Sequence, residues 1–236
     1  MIDDKLAPWT GPLVRGLVAT IGLVLSLVPT AAAQTAGGSS FDWGGALHGQ
    51  LSLGSMADVA GNGIGLDLSL RMRSPSGRGL RIEGAWTKHS TTKTPTEGEF
   101  FGSPLSGNVS TSHSIARLAV GPQWSMPAGE GRHEFYAMLG IAWIAPNFSG
   151  AEVGLNDHPP SSHAILASIG TDILLPVHIR GGDWMEVGVE IQAGAKGTFY
   201  GDPPIVPDGS GNYLYQSKRA SISGITVRVG TVKTYP

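Results

Sequence analysis

Between residues 42 and 232 apolar and polar positions alternate with a period of two in eight separate stretches, the signature of half-buried strands. They lie at about 42–54, 63–73, 80–89, 112–124, 133–145, 163–174, 184–195 and 220–232. In GIGLDLSLRMR, residues 63–73, Ile64, Leu66, Leu68, Leu70 and Met72 share one face, while Asp67, Ser69, Arg71 and Arg73 share the other. Met185, Val187, Val189 and Ile191 alternate in the same way with Glu186, Gly188, Glu190 and Gln192, whereas Ile115 and Leu166 interrupt the pattern of the fourth and sixth stretches. No helical period of useful length follows residue 40.

The connections alternate too. SPSGRG (74–79), SMPAGEGR (125–132) and LPVHIRGG (175–182) are short and rich in Pro and Gly, as tight reversals require. The intervening connections, 55–62, 90–111, 146–162 and 196–219, are mostly longer. Short turns at one end, long loops at the other and an even strand number are the plan of an up-and-down transmembrane barrel. The expected fold is therefore all-β: an eight-stranded antiparallel up-and-down transmembrane β-barrel over residues 42–236.

Which row faces inward decides between a membrane barrel and a soluble one. The polar rows collect Asp67, Arg71, Arg73, Arg81, Glu83, Arg117, Glu134, Asp172, Glu186, Glu190 and Arg228, five positive and six negative, among Gly, Ala, Ser, Thr and Gln. Every positive residue is arginine, while Lys88, Lys93, Lys196, Lys218 and Lys233 fall in loops or at strand ends. A hydrated outer face uses lysine freely; an enclosed lumen favours the planar guanidinium, which grips carboxylates through two parallel bonds. The rows are thus expected to form an ion-pair network in a side-chain-filled lumen, with rows such as Ile165, Ile169 and Ile173 facing lipid. Two aromatic girdles are expected at the lipid boundaries: Trp43, Trp124, Phe135 and Trp184 at one, Trp184 having the polar parity and so the alternative of capping the lumen, and Trp86, Trp143, Phe199 and Tyr200 at the other.

Composition narrows the class. Charged residues make up 14 % of the chain, against about 25 % in soluble domains. A net charge of −2 without a Lys/Arg cluster gives no footprint for nucleic acid. The apolar run GLVATIGLVLSLV (16–28), followed by Pro29 and the small residues to Ala33, predicts a signal peptide over 1–33, cleaved after Ala33, and a short segment 34–41 before the barrel. The chain has no cysteine, so an exported fold must hold without disulfides.

On these features the chain resembles the small eight-stranded outer-membrane barrels of the OmpA, OmpX and OmpW type. The resemblance is architectural and covers nearly all of residues 40–234. It departs at the end, GITVRVGTVKTYP, where such barrels often finish on an aromatic residue and here Tyr235 is followed by Pro236. It implies residence in the outer membrane of a Gram-negative-type bacterium, contact with outer-membrane lipid, and insertion by the barrel assembly machinery. It further implies a role in envelope integrity, adhesion or narrow solute passage.

Candidate chemistry is sparse. His89, His113 and His163 are expected near the external rim, as solvated residues with neither the spacing of a metal site nor the His-x-Ser-Asn pattern of lipid A deacylases. GNGIG (61–65) precedes no helix and makes no phosphate cradle. The reading is of a non-enzymatic monomer with no catalytic, cofactor or metal residues, whose external loops 90–111, 146–162 and 196–219 offer Phe100, Phe101, Tyr213 and Tyr215 to an unidentified partner. The alternatives are a narrow pore through the lumen charges and a secreted soluble barrel with Ile64, Leu66 and Leu68 around an apolar ligand.

Overall fold

The computed structural model describes residues 39–100, 103–149, 160–177, 183–207 and 213–235, with side chains described outside 92–109, 149 and 201–215. The expected signal peptide and Phe101 lie outside the described residues, as do the side chains of Phe100, Tyr213 and Tyr215. The strands are β1 Ser40–Ser52, β2 Gly63–Arg73, β3 Arg78–His89, β4 Thr92–Phe100, β5 Ser103–Ala128, β6 Gly131–Ser149, β7 Ser162–Pro176, β8 Asp183–Pro207 and β9 Tyr213–Tyr235. One helical turn, α1 (Ala57–Ala60), follows a 3-10 turn at Gly54–Met56.

All neighbouring strands are antiparallel, in the order β3-β2-β1-β9-β8-β7-β6-β5-β4, and a β3–β5 pairing closes the ring. Both β3 and β4 pair with β5, one below the other, so they form a single stave interrupted at Ser90 and Thr91. Nine strands thus make eight staves. First and last strands meet from Phe41↔Tyr235 to Ser52↔Gly224. The turn after β2 needs Gly77 at φ 79° and the turn after β5 needs Gly129 at φ 63°, a left-handed conformation that costs glycine little.

The faces are inverted relative to a soluble barrel. Ile64, Leu139 and Ile165 are 74 %, 66 % and 68 % exposed, whereas Arg71, Arg81 and Glu83 are fully buried. Along β7 the outward apolar row runs from Ile165 to Leu175. That is roughly 33 Å along the strand and, at a tilt of about 40°, about 25 Å across the membrane, the height of a lipid-facing band. A continuous apolar belt of this size around a charged interior is a lipid-facing surface.

The long connections differ from expectation. Most of 90–111 and 196–219 is strand: β5, β8 and β9 run 26, 25 and 23 residues, well past the length of a membrane crossing. Beyond lipid both faces of a ribbon are wet, so apolar alternation fades while the backbone ladder continues. Threonine at positions 92, 94 and 96 is the residual strand signal, and Pro95 is tolerated because β4 pairs on one side only, with β5. Connection 55–62 also departs, dipping into the barrel mouth, where Met56 is fully buried and Val59 and Ala60 nearly so.

Ile115 and Leu166 interrupt the alternation because they point inward. They join Ile144, Phe199, Ile222 and Met56 in an apolar cluster that fills the external end of the lumen. Replacing the mid-belt Leu139 by Arg is expected to destabilise the inserted barrel by about 2–4 kcal/mol. Urea titration of the folded fraction in lipid vesicles measures this, and an unchanged midpoint would place Leu139 outside lipid.

Candidate functional site: the charged lumen

The inward rows of all eight staves bring together every charged residue expected there and add two more, Asp42 and Arg132. Among the described residues the lumen holds six arginines and seven carboxylates: Arg71, Arg73, Arg81, Arg117, Arg132 and Arg228 against Asp42, Asp67, Glu83, Glu134, Asp172, Glu186 and Glu190. They are stacked in tiers.

At the end where β1 begins and β9 finishes, Arg73 grips Asp42 with Nε at 3.1 Å and Nη2 at 3.2 Å. Arg132 donates to the same carboxylate at 2.7 Å, lies 2.7 Å from Glu134, and stacks over Trp184 at 5.1 Å. Trp184 is therefore on the lumen side, its indole donating to Thr234 at 3.0 Å. One tier up, Arg71 bridges Glu134 at 2.7 Å and Glu186 at 2.6 Å.

The central tier turns on Glu83. Its carboxylate accepts from Arg81 at 2.7 Å, from Arg228 at 2.7 Å and from Arg117. Arg81 also bonds Asp172, Arg228 bonds Asp172 at 3.1 Å, and Arg117 bonds Glu190 and, at 2.9 Å, Gln192. Tyr136 lies beneath two of these cations, 4.1 Å from Arg81 and 5.1 Å from Arg228. The room comes from glycine: a Cβ at Gly188 would overlap the Asp172 carboxylate and the Arg228 side chain.

Above the arginines, His48 sits between Asp67 at 3.0 Å and the Thr87 hydroxyl at 2.9 Å. The order carboxylate, imidazole, hydroxyl is that of a nucleophilic relay, but the contact between Asp67 and the His48 Nδ1 lacks hydrogen-bond geometry. It faces a cavity of about 10 Å³ lined by His48, Gln50, Thr87, Arg117, Gln192 and Thr226, with Ile115, Leu166 and Ile222 as its roof. That space holds about one water and no acyl group.

The histidines do not form the expected solvated rim. His89 and His113 are each 1 % exposed. His89 bonds the Gly61 carbonyl at 3.0 Å beneath the mouth turn, and His113 accepts from the Tyr200 amide at 3.1 Å and packs edge-on against Phe199. Only His163 is exposed, paired across the ladder with Trp143 on the outer wall. Among the described residues no cluster of His, Asp or Glu is arranged to hold a metal ion.

Trp43 and Trp124 are 44 % and 45 % exposed on the outer wall, and Trp86 and Trp143 are half-buried near its other end. Phe199 and Tyr200, expected in the external girdle, are buried instead. A register shift between Ala193 and Lys196 adds a residue to β8 and reverses its parity, which strict alternation along the sequence does not reveal. Asp42 was missed although it shares parity with Ala46 and His48, and Arg132 because it falls at the edge of a predicted turn.

No protein-family model and no curated protein sequence matches this chain. Among solved structures it is similar to a major outer membrane protein from Thermus thermophilus, at 12 % identity over 84 % of this chain and 99 % of that one, with a TM-score of 0.50. OprG from Pseudomonas aeruginosa aligns at 11 % identity over 84 % and 97 % with a TM-score of 0.49. Ail of Yersinia pestis, in complex with the heparin analogue sucrose octasulfate, aligns at 15 % over 84 % and 97 % with a TM-score of 0.46. The Thermus likeness places the fold among small outer-membrane β-barrels.

Removing one member of a buried charge group leaves its partners uncompensated, at a cost of about 3–5 kcal/mol. Glu83→Ala strands three arginines, so its urea midpoint in vesicles should fall far below that of Arg78→Ala, an exposed position next to a turn. Equal midpoints would mean that the tier does not stabilise the barrel.

Proposed function

We propose that the chain is a non-enzymatic protein of the outer membrane of a Gram-negative-type bacterium. It is exported by the segment 1–33, inserted by the barrel assembly machinery, and acts as a monomer that contacts a partner through its external ribbons. The observation that carries this reading is the pairing of a sealed lumen with long ribbons above the belt. The β4–β5 ribbon adds nine rungs, Thr92↔Thr111 to Phe100↔Ser103, about 30 Å of sheet. The upper part of β9 leaves β1 at Gly224 and pairs with β8 alone up to Tyr213. Among the described residues its other edge is met only near the mouth turn, through Leu53 to Ser223 and Ser221 to Ser55. An open strand edge can take up an extended segment of another protein by backbone pairing.

A lumen packed with paired charges, whose neck cavity holds about one water, supports closure over conduction. The pore reading requires Arg117, Glu83 and Glu190 to exchange partners in concert.

Expressed with its leader in a Gram-negative host, the chain should fractionate with the outer membrane and migrate faster on SDS gels unboiled than boiled. Protease added to intact cells should cut in 92–111 or 200–215 and spare the barrel, and planar bilayers should show no conductance. Recovery as a soluble protein without a mobility shift would reverse the membrane reading. A conductance abolished by Arg117→Ala or Glu190→Ala would replace closure with a pore.

A further inference from the structure

Above the belt the wall between β7 and β8 parts. Their ladder ends at Leu166↔Gly194, yet β7 continues against β6 to Ser162 and β8 continues against β9 to Pro207. Among the described residues one side chain is hydrogen-bonded across the gap: the Ser162 hydroxyl donates to the Thr198 carbonyl at 3.0 Å and accepts from the Thr198 amide at 3.0 Å.

The β8 bulge lies at the same level. Below it the even-numbered residues Glu186, Glu190 and Gln192 point inward; beyond it Lys196 is exposed and Gly197 and Phe199 are buried. The extra residue turns the lysine out of the lumen row, as bulges re-aim side chains elsewhere. Arg219 stands on the same outer face of the β8–β9 ribbon, because Lys196 pairs with Ser221 and Thr198 with Arg219, and its guanidinium donates to the Lys196 carbonyl at 3.4 Å. Lys218 is exposed too, but it pairs with Phe199 and so stands on the opposite face of the ribbon; exposed His163 marks the level of Trp143. Just below, Ile165 and Ile191 are 68 % and 51 % exposed in the apolar belt.

Charge is segregated around this patch. Among the residues whose side chains are described, the carboxylates lie in the lumen, at the opposite end as Glu130 and Asp183, or, for Asp58, on the helical turn in the mouth. None is on the outer wall at this end. We propose that Lys196 and Arg219, beside the β7–β8 seam, bind the phosphate groups of an anionic lipid of the outer leaflet, whose acyl chains lie on the row of Ile165 and Ile191. The proposal rests on the outer-membrane reading above. A guanidinium and an ammonium group at headgroup depth match phosphate in charge and geometry.

The test uses the full mature barrel in nanodiscs of phosphatidylcholine doped with diphosphoryl lipid A or with lipid A lacking both phosphates. After transfer to mild detergent, retained lipid per barrel is counted by mass spectrometry, and the unboiled gel shift verifies folding. The wild type should retain the phosphorylated lipid and not the dephosphorylated one. Lys196→Gln with Arg219→Gln should weaken retention about thirtyfold. Arg78→Gln, at the opposite end, should change nothing. Equal retention by the double variant, or equal retention of both lipids, in barrels that have inserted and kept their gel shift would overturn the lipid site and leave the membrane reading intact. A chain that stays monodisperse without detergent would overturn both.

Discussion

An eight-stranded ring leaves an interior that side chains must fill, and in a bilayer the filling cannot come from the apolar row, which lipid claims. The carboxylate of Glu83 shows the solution at its most concentrated. Three guanidiniums converge on it from β3, β5 and β9. Each then reaches a second carboxylate on β7 or β8, so that strands far apart around the ring are tied through its axis. Desolvating so many charges is costly, and only dense mutual pairing offsets it. The glycines of the inward rows belong to the same constraint, since a long arginine fits only where its neighbour has no side chain.

The lumen is divided along its axis. Charge fills it from the start of β1 to about the level of His48, and above that the apolar cluster under Met56 takes over. The mouth turn and the upper part of β8 converge on this cluster, the first bringing Met56 and the second Phe199. A charged column would be exposed to water at an open mouth; an apolar lid keeps it dry and its pairs strong. The polar neck between the two zones carries the small cavity.

Strand periodicity and loop asymmetry made the ring and the inward charges legible in the sequence, because a transmembrane stave must alternate and an enclosed cation must be arginine. What was not legible depends on departures from period two. Ile115 and Leu166 read as noise when they are the inward apolar cluster. A one-residue bulge moved Phe199 inside and Lys196 outside, and bulges leave no mark in local composition. The external ribbons read as loops because the solvent that wets both their faces erases the apolar signal while the ladder persists. His89 and His113 were placed at the correct height and the wrong depth, since the residues covering them come from Gly61 and from β8.

The seam between β1 and β9 sets how the molecule can be made. Trp43 and Tyr235, 192 positions apart, bond across it, and the ion pairs Arg71–Glu186 and Glu83–Arg228 join residues 115 and 145 positions apart. The contacts of Tyr235 and Arg228 wait for the final strand and that of Glu186 for the strand before it, so no N-terminal fragment has a smaller ring in which to settle its charges. A partly built sheet would present unpaired guanidiniums and two open edges to hydrocarbon. Insertion and closure are therefore one event for this chain. Contacts of such long sequence separation also make that event slow relative to the formation of any single hairpin.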